Sequence, residues 1–101
     1  MHALDNRLSD EGRARLAAAR RTAAGIEAVA ELAEILGADE GGRWAVAGEL
    51  ERRLTRFESA AYKRIKAGDR RPHGRVDELL TLVCDAPGLP RCRRRLFDLL
   101  R

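Results

Sequence analysis

The side chains of this sequence that could do chemistry are two histidines, two cysteines and the acids on its helices. No serine, cysteine or acid stands at a spacing that would join His2 or His73 in a nucleophilic set. Acid pairs such as Glu31 and Glu34 have helical spacing beside arginines, which is typical of a solvated helix face. We therefore expect no catalytic residue, and a protein that is not an enzyme.

Metal and cofactor sites are not predicted either. Cys84 and Cys92 are eight residues apart with no histidine nearby, which matches no zinc pattern. They are interpreted as two small core residues or, in an oxidising compartment, as a disulfide tying two short helices together. The glycine-rich stretch 37–42 lacks a preceding strand and a phosphate-binding lysine. It also contains two acids, which would repel phosphate.

Arginine is the more informative residue type, because its distribution is uneven. Residues 1–42 carry a net charge of −3 and residues 43–101 carry +7, which gives the overall +4. Exposed arginines favour protein carboxylates or nucleic-acid phosphates. We predict non-catalytic contact with a protein complex that has an acidic surface, and nucleic acid is the alternative partner. The predicted contact residues are Arg70, Arg71, Arg75, Arg91, Arg93, Arg94 and Arg95.

Two long helices should position most of the chain. Ser9 supplies a capping oxygen followed by two acids, and Gly37 supplies a stop, so the first helix is predicted from Ser9 to about Leu36. Its apolar stripe is Leu16, Ala19, Ala23, Ile26, Ala30 and Ala33, widened by Val29, Leu32 and Leu36. The second helix is predicted over 43–67. Its stripe is Ala47, Leu50, Leu54, Phe57 and Ala61, with Ile65 one place late.

The short connection between these helices predicts an antiparallel hairpin. Folding the chain about Glu40 places Ile26 opposite Leu54 and Ala23 opposite Phe57, so large side chains meet small ones. We therefore expect Ile26 and Phe57 to lie in the core of the hairpin. Trp44 and Tyr62 are expected to be partly buried, which leaves no aromatic side chains interleaved with the arginines for base stacking.

Two shorter helices complete the expected fold. The third is predicted from about Arg75 to Asp85, and Pro90 suits the first position of a fourth. Their inward residues are Val76, Leu79, Leu80 and Val83, then Leu89 or Cys92, Leu96, Phe97 and Leu100. The predicted fold class is all-α, with a long antiparallel helical hairpin plus two short C-terminal helices in an irregular four-helix bundle.

Length and composition bound the remaining expectations. A chain of 101 residues should form a single helical domain, 1–101, in which residues 1–8 are loosely ordered. Charged residues make up 36% of the chain and no long apolar run occurs. We therefore expect no membrane partner and a cytoplasmic location. The sequence does not indicate an oligomeric state.

Two resemblances add expectations. The residues from Leu32 to Gly37 resemble the opening of a helix-turn-helix, with Ala33 packing on the second helix and the glycine making the turn. This partial resemblance, over 32–51, implies a small basic nucleic-acid-binding regulator. Arg43 departs from it, because the family has an aliphatic residue there, and the second helix is far longer than a recognition helix.

The chain as a whole resembles the short, alanine- and arginine-rich accessory proteins that phages and mobile elements of GC-rich bacteria encode. Those include anti-CRISPR proteins. No motif carries this resemblance. It implies an inhibitor or adaptor that docks on a host protein complex, of which a complex with a Cas component is one example.

Overall fold

The computed structural model describes residues 9–37 and 42–100, and these residues form four helices and no strand. Helix α1 spans Asp10–Ile35, α3 spans Gly74–Asp85 and α4 spans Arg93–Leu99. Helix α2 is one continuous rod made of α-helical Arg43–Phe57, a π-helical segment Glu58–Tyr62 and a last turn Lys63–Lys66. The all-α four-helix architecture is confirmed. His2, the expected loose ordering of 1–8, and the acids Asp39 and Glu40 lie outside the described residues.

The ends of α1 follow its sequence signals. The Ser9 hydroxyl accepts a hydrogen bond from the backbone N–H of Gly12 at 3.0 Å, which satisfies one of the unpaired donors of the first turn. At the other end, Gly37 has a φ of 81°, a left-handed conformation that glycine adopts without strain. The predicted start and stop of α1 are therefore confirmed.

The late position of Ile65 has a structural counterpart in α2. A π-helical turn holds one residue more than an α-helical turn, so it delays the apolar pattern by about one place. The π segment lies between Phe57 and Ile65, where the delay occurs. Ala61 inside the segment is buried, and Ile65 packs against the core. The extra residue thus keeps the end of α2 facing the core.

The face that α1 buries differs from the predicted face. Its buried residues are Gly25, Ala28, Val29, Leu32 and Ala33. Ile26 is 45% exposed, and Ala23 is also exposed. The predicted pairing of Ile26 with Leu54 is therefore wrong, although Leu54 and Phe57 are buried as expected.

The cause is a different choice of helix partners. Helix α1 packs mainly on α3, and α2 packs mainly on α4, with fewer contacts between α1 and α2. A Cβ on Gly25 would lie 2.5 Å from the Cβ of Ala86, so α1 approaches the end of α3 more closely than any side chain would allow. The Thr22 hydroxyl also donates to the Pro87 carbonyl at 3.1 Å. A short loop makes two helices neighbours, but α3 decides which face of α1 turns inward.

Helix α4 begins later than predicted. Cys92 is extended, with a ψ of 150°, and the first residue of the helix is Arg93 rather than Pro90. The backbone N–H of Arg93 donates to a carboxylate oxygen of Glu51 at 2.7 Å, so α2 caps this helix from outside. Residues 90–92 consequently form a non-helical connection before α4.

The two cysteines have different environments. Cys84 is buried, as the core interpretation predicted, and its burial raises the pKa of the thiol to about 11. Cys92 is exposed, because it precedes α4 instead of lying on its inner face. Both thiols are free, so the core interpretation is wrong for Cys92 and the disulfide alternative is wrong for both.

Candidate protein-docking surface

Four of the seven predicted contact arginines make contacts inside the fold. Arg75 binds Glu31 through two hydrogen bonds of 2.6 and 2.8 Å, and this paired geometry ties the start of α3 to α1. Hydrogen bonding from the guanidinium lowers the pKa of the Glu31 carboxyl. The Arg75 side chain is therefore used in the contact between α3 and α1 rather than being free to bind a partner.

Arg70 organises the beginning of α3. Its guanidinium donates to a carboxylate oxygen of Asp77 at 2.9 Å and lies 3.1 Å from Nδ1 of His73. The same Asp77 oxygen accepts the backbone N–H of His73 at 2.9 Å, which caps the first turn. Both Arg70 and His73 are thus engaged in holding this helix start.

Arg91 joins α2 to the end of α3. Its guanidinium forms an ion pair with Glu58 in the π-helical segment and donates to the Cys84 carbonyl at 3.0 Å. One side chain therefore satisfies an acid of α2 and a backbone acceptor of α3 together. This contact also holds the non-helical residues that precede α4.

Arg93 lies across α2 and covers Trp44. Its guanidinium carbon is 4.1 Å from the centroid of the indole ring, and its Nε donates to the Trp44 carbonyl at 3.0 Å. The chain passes over Gly48, where a Cβ would lie 2.9 Å from the guanidinium. A residue without a side chain is therefore needed for Arg93 to reach the ring in this position.

Phe97 supports the same indole from α4. Its ring lies edge-on to Trp44, with centroids 5.5 Å apart and planes at 85°, which is a favourable aromatic geometry. Trp44 nevertheless remains 49% exposed. We name Trp44, Arg93 and Phe97, with the next two residues of α4 after Arg93, Arg94 and Arg95, the Trp44 surface.

The remaining predicted arginines are free within the described part of the chain. Arg71, Arg94 and Arg95 are exposed, and none forms an ion pair with another described residue. Arg94 and Arg95 follow Arg93 on α4, whereas Arg71 lies in the connection between α2 and α3. The structure thus divides the predicted set into internal contacts and exposed cations.

The clefts offer little catalytic chemistry. One, of about 410 Å³, has Phe57, Val76 and Leu80 among its apolar lining, another, of about 490 Å³, includes Cys92, and a third, of about 330 Å³, includes Ser59. No histidine lines any of these three clefts, so none of them supplies an imidazole base for a nucleophile. Over residues 9–37 and 42–100, no three His, Cys, Asp or Glu side chains are grouped to hold a metal ion. No helix in those ranges is long and apolar enough to cross a membrane.

Comparison with protein-family models gave no match, and comparisons with curated proteins and with solved structures gave none either. Only the geometry of the chain therefore bears on its function. By that geometry, an exposed aromatic ring and a fixed guanidinium lie in contact, and α4 carries two free cations in the residues that follow Arg93.

Sequence reasoning did not select Trp44 or Phe97 for this surface. It expected Trp44 to be partly buried and Phe97 to point inward, and Phe97 is indeed half-buried. A signal existed one turn after the tryptophan, because Gly48 costs about 1 kcal/mol relative to alanine inside a helix. A glycine at such a position indicates that another group lies close to the backbone.

Proposed function

We propose that the protein is a non-catalytic docking protein that binds an acidic surface of another protein through the Trp44 surface. The observation that carries the proposal is a half-exposed tryptophan held between Arg93 and Phe97. Tryptophan and arginine are the residue types most enriched among side chains that dominate binding energy at protein interfaces. An exposed tryptophan with its own support is suited to fill a pocket on a partner.

Preorganisation strengthens this interpretation. Side chains that must be immobilised on binding each cost about 0.5 to 1.5 kcal/mol. Trp44 and Arg93 already constrain each other through a stacked contact and a hydrogen bond, so much of that cost is met in the free protein. The two interface side chains would therefore enter a complex with little loss of freedom.

The free cations set the chemistry of the partner. Arg94 and Arg95 follow Arg93 on α4, are exposed and have no acid of their own among the described residues. Complementary charges at an interface speed association and select the partner, so carboxylates should surround the pocket that receives Trp44. An inhibitor or adaptor docking on a host complex, such as a CRISPR effector, is the specific form that we propose.

Nucleic acid is the rival partner, and Trp44 argues against it. Bases bind aromatic side chains by stacking on an open ring face. Arg93 covers one face of the indole, and Phe97 meets the ring as well. Phosphate contacts by the free arginines alone would give binding that weakens steeply with salt.

Affinity capture from a bacterial lysate with matched variants tests the proposal. We expect Trp44→Ala and Arg94→Glu to lose a protein that the wild type captures. Arg71→Glu is the control, since it makes the same charge change at another exposed and unpaired arginine. Loss of capture with Arg71→Glu alone would move the interface to the α2–α3 connection, and equal capture by all variants would refute the Trp44 surface.

Two further assays separate the specific partners. Interference by a CRISPR effector, measured with and without the protein, should fall with wild type and recover with Trp44→Ala. Unchanged interference and no captured Cas component would remove that partner. A shift of duplex or single-stranded nucleic acid at low salt, unaffected by Trp44→Ala, would instead establish the rival function.

A further inference from the structure

The N-terminal part of α1 presents an apolar stripe that the fold leaves uncovered. Leu16 is 39% exposed and Ile26 is 45% exposed, although both are large aliphatic side chains. Three exposed alanines lie on the same side, and the complete stripe is Leu16, Ala19, Ala23, Ile26 and Ala30. The sequence pattern predicted that this stripe of α1 would pack against α2.

The spacing of the stripe is that of a coiled-coil seam. Its residues alternate steps of three and four, and Ala33 continues the series. Such a seven-residue repeat places apolar side chains at the two core positions of a heptad, which is the pattern that pairs one helix with another. The stripe spans 14 residue steps, or roughly 21 Å of helix.

The stripe and the buried face of α1 are different surfaces. At about 100° per residue, their centres lie roughly 130° apart around the helix axis. A strict heptad drifts by about 20° per repeat on a straight helix, so the stripe rotates toward the core along α1. Ala33, the next residue of the series, is buried in the core, whereas the five stripe residues from Leu16 to Ala30 are exposed.

We propose that a second copy of this chain covers the stripe, with the two α1 helices antiparallel across a two-fold axis. Such an arrangement places Ala23 opposite Ile26 of the other copy, and Ala19 opposite Ala30. Ile26 of each copy then faces the small Ala23 of the other, and the alanine pairs let the helices approach closely. A two-fold interface needs a self-complementary surface, and this stripe meets that condition.

Charges beside the stripe select this orientation. In the antiparallel pair, Arg20 of each copy lies beside Glu27 of the other, so two opposite-charge contacts form. Both side chains are exposed and have no ion-pair partner among the described residues. A parallel pair would bring Arg15 beside Arg20 of the other copy. An antiparallel pair shifted by one heptad would bring the Arg20 side chains of the two copies together. Both alternatives are repulsive.

The stripe also lies on a different helix from the Trp44 surface, so self-association and partner docking are separable. The dimer proposal therefore does not depend on the proposed function. Trp44→Ala should abolish partner capture and leave the oligomeric state unchanged.

Sedimentation of the whole chain over micromolar to near-millimolar concentrations tests the dimer. We expect the wild type to dimerise and Ile26→Arg to remain monomeric with an unchanged helical spectrum. Ile35→Arg is the matched control, since Ile35 is 48% exposed on the same helix but outside the stripe. A wild type that is monomeric throughout, or an Ile26→Arg variant that dimerises like the wild type, would overturn the proposal.

Charge exchange tests the orientation without altering an apolar residue. Arg20→Glu and Glu27→Arg should each weaken self-association by about tenfold, because two attractive contacts become repulsive. The double variant Arg20→Glu/Glu27→Arg should restore it, and an equal mixture of the two single variants should form heterodimers. Failure of both the double variant and the mixture to restore association would refute the antiparallel pairing.

Discussion

Two glycines within helices, Gly25 and Gly48, each lie where another group approaches too closely for a Cβ, and they differ in what approaches them. Gly25 in α1 faces the Cβ of Ala86 and the backbone carbonyl of Leu82, which are fixed to α3 and the turn after it. Gly48 in α2 faces the guanidinium of Arg93, the far end of a flexible side chain. The glycine of the α1/α3 pair therefore makes room for backbone atoms that cannot move easily, whereas the glycine of the α2/α4 pair makes room for a flexible side chain.

The difference separates stability from surface arrangement. At Gly25 an added methyl group has to displace backbone, so the α1/α3 packing must give way. At Gly48 only the Arg93 side chain has to move, so the fold should survive while the guanidinium leaves Trp44. The α1/α3 pair thus supports the fold, and the α2/α4 pair presents the Trp44 surface.

The largest expected effect concerns the face that α1 buries. Leu32 is fully buried, so Leu32→Ala should lower the free energy of unfolding by about 2 to 5 kcal/mol. Ile26→Ala, on the exposed stripe, should change it by less than about 0.5 kcal/mol at low protein concentration. Denaturant unfolding followed by helical circular dichroism measures both. A larger loss of stability from Ile26→Ala than from Leu32→Ala would support the hairpin register predicted from the sequence, in which Ile26 faces Leu54.

A smaller loss is expected from Gly25→Ala. Alanine favours helix by about 1 kcal/mol over glycine, but the overpacking against Ala86 should cost more. We expect a net destabilisation of about 1 to 2 kcal/mol, measured by the same unfolding experiment. A stabilised Gly25→Ala variant would show that the α1/α3 contact is looser than the structure indicates.

The smallest effect concerns one of the hydrogen bonds that join the two helix pairs. The hydroxyl of Tyr62, in α2, donates to a carboxylate oxygen of Asp85 in α3 at 2.6 Å, and this bond raises the pKa of Tyr62 to about 12. Its contribution should be complete below about pH 10 and disappear as the pH rises through about 12. Tyr62→Phe should cost about 1 kcal/mol at neutral pH.

Tyr62 is the sole tyrosine of the chain, so ultraviolet absorbance follows its ionisation without ambiguity. The transition should lie well above that of a free tyrosine and should move down with Asp85→Asn. An ordinary pKa in the wild type would show that the two helix pairs are not joined by this bond.

Much of the fold could be predicted from local signals. These signals depend only on residues that are close together in the sequence: the cap at Ser9, the stop at Gly37 and the spacing of apolar residues in α2. The apolar spacing showed Ile65 one place late but did not predict the π-helical segment that accounts for it. Local rules therefore predicted both ends of α1 and the face that α2 buries, but not the start of α4, which Glu51 caps from a distant part of the chain.

Long-range choices could not be predicted in this way. On the alanine-rich α1, the stripe through Ile26 and the face through Leu32 are both apolar, and only the arrival of α3 decides between them. The roles of the arginines depend likewise on distant acids, since Glu31 precedes its partner Arg75 by 44 residues. A single sequence shows that such charges exist but not which of them meet.

The most direct test compares Gly25→Ala with Gly48→Ala in both stability and binding. Gly48→Ala retains Trp44 and every charge of the surface, but its new methyl group displaces Arg93 from the ring. Titration of the captured partner, followed by the fluorescence of the single tryptophan of this chain, should show about tenfold weaker binding with a melting temperature that is not lowered. Gly25→Ala should lower the melting temperature and bind normally while folded. Normal binding by Gly48→Ala, with Trp44 freed from Arg93, would contradict the account.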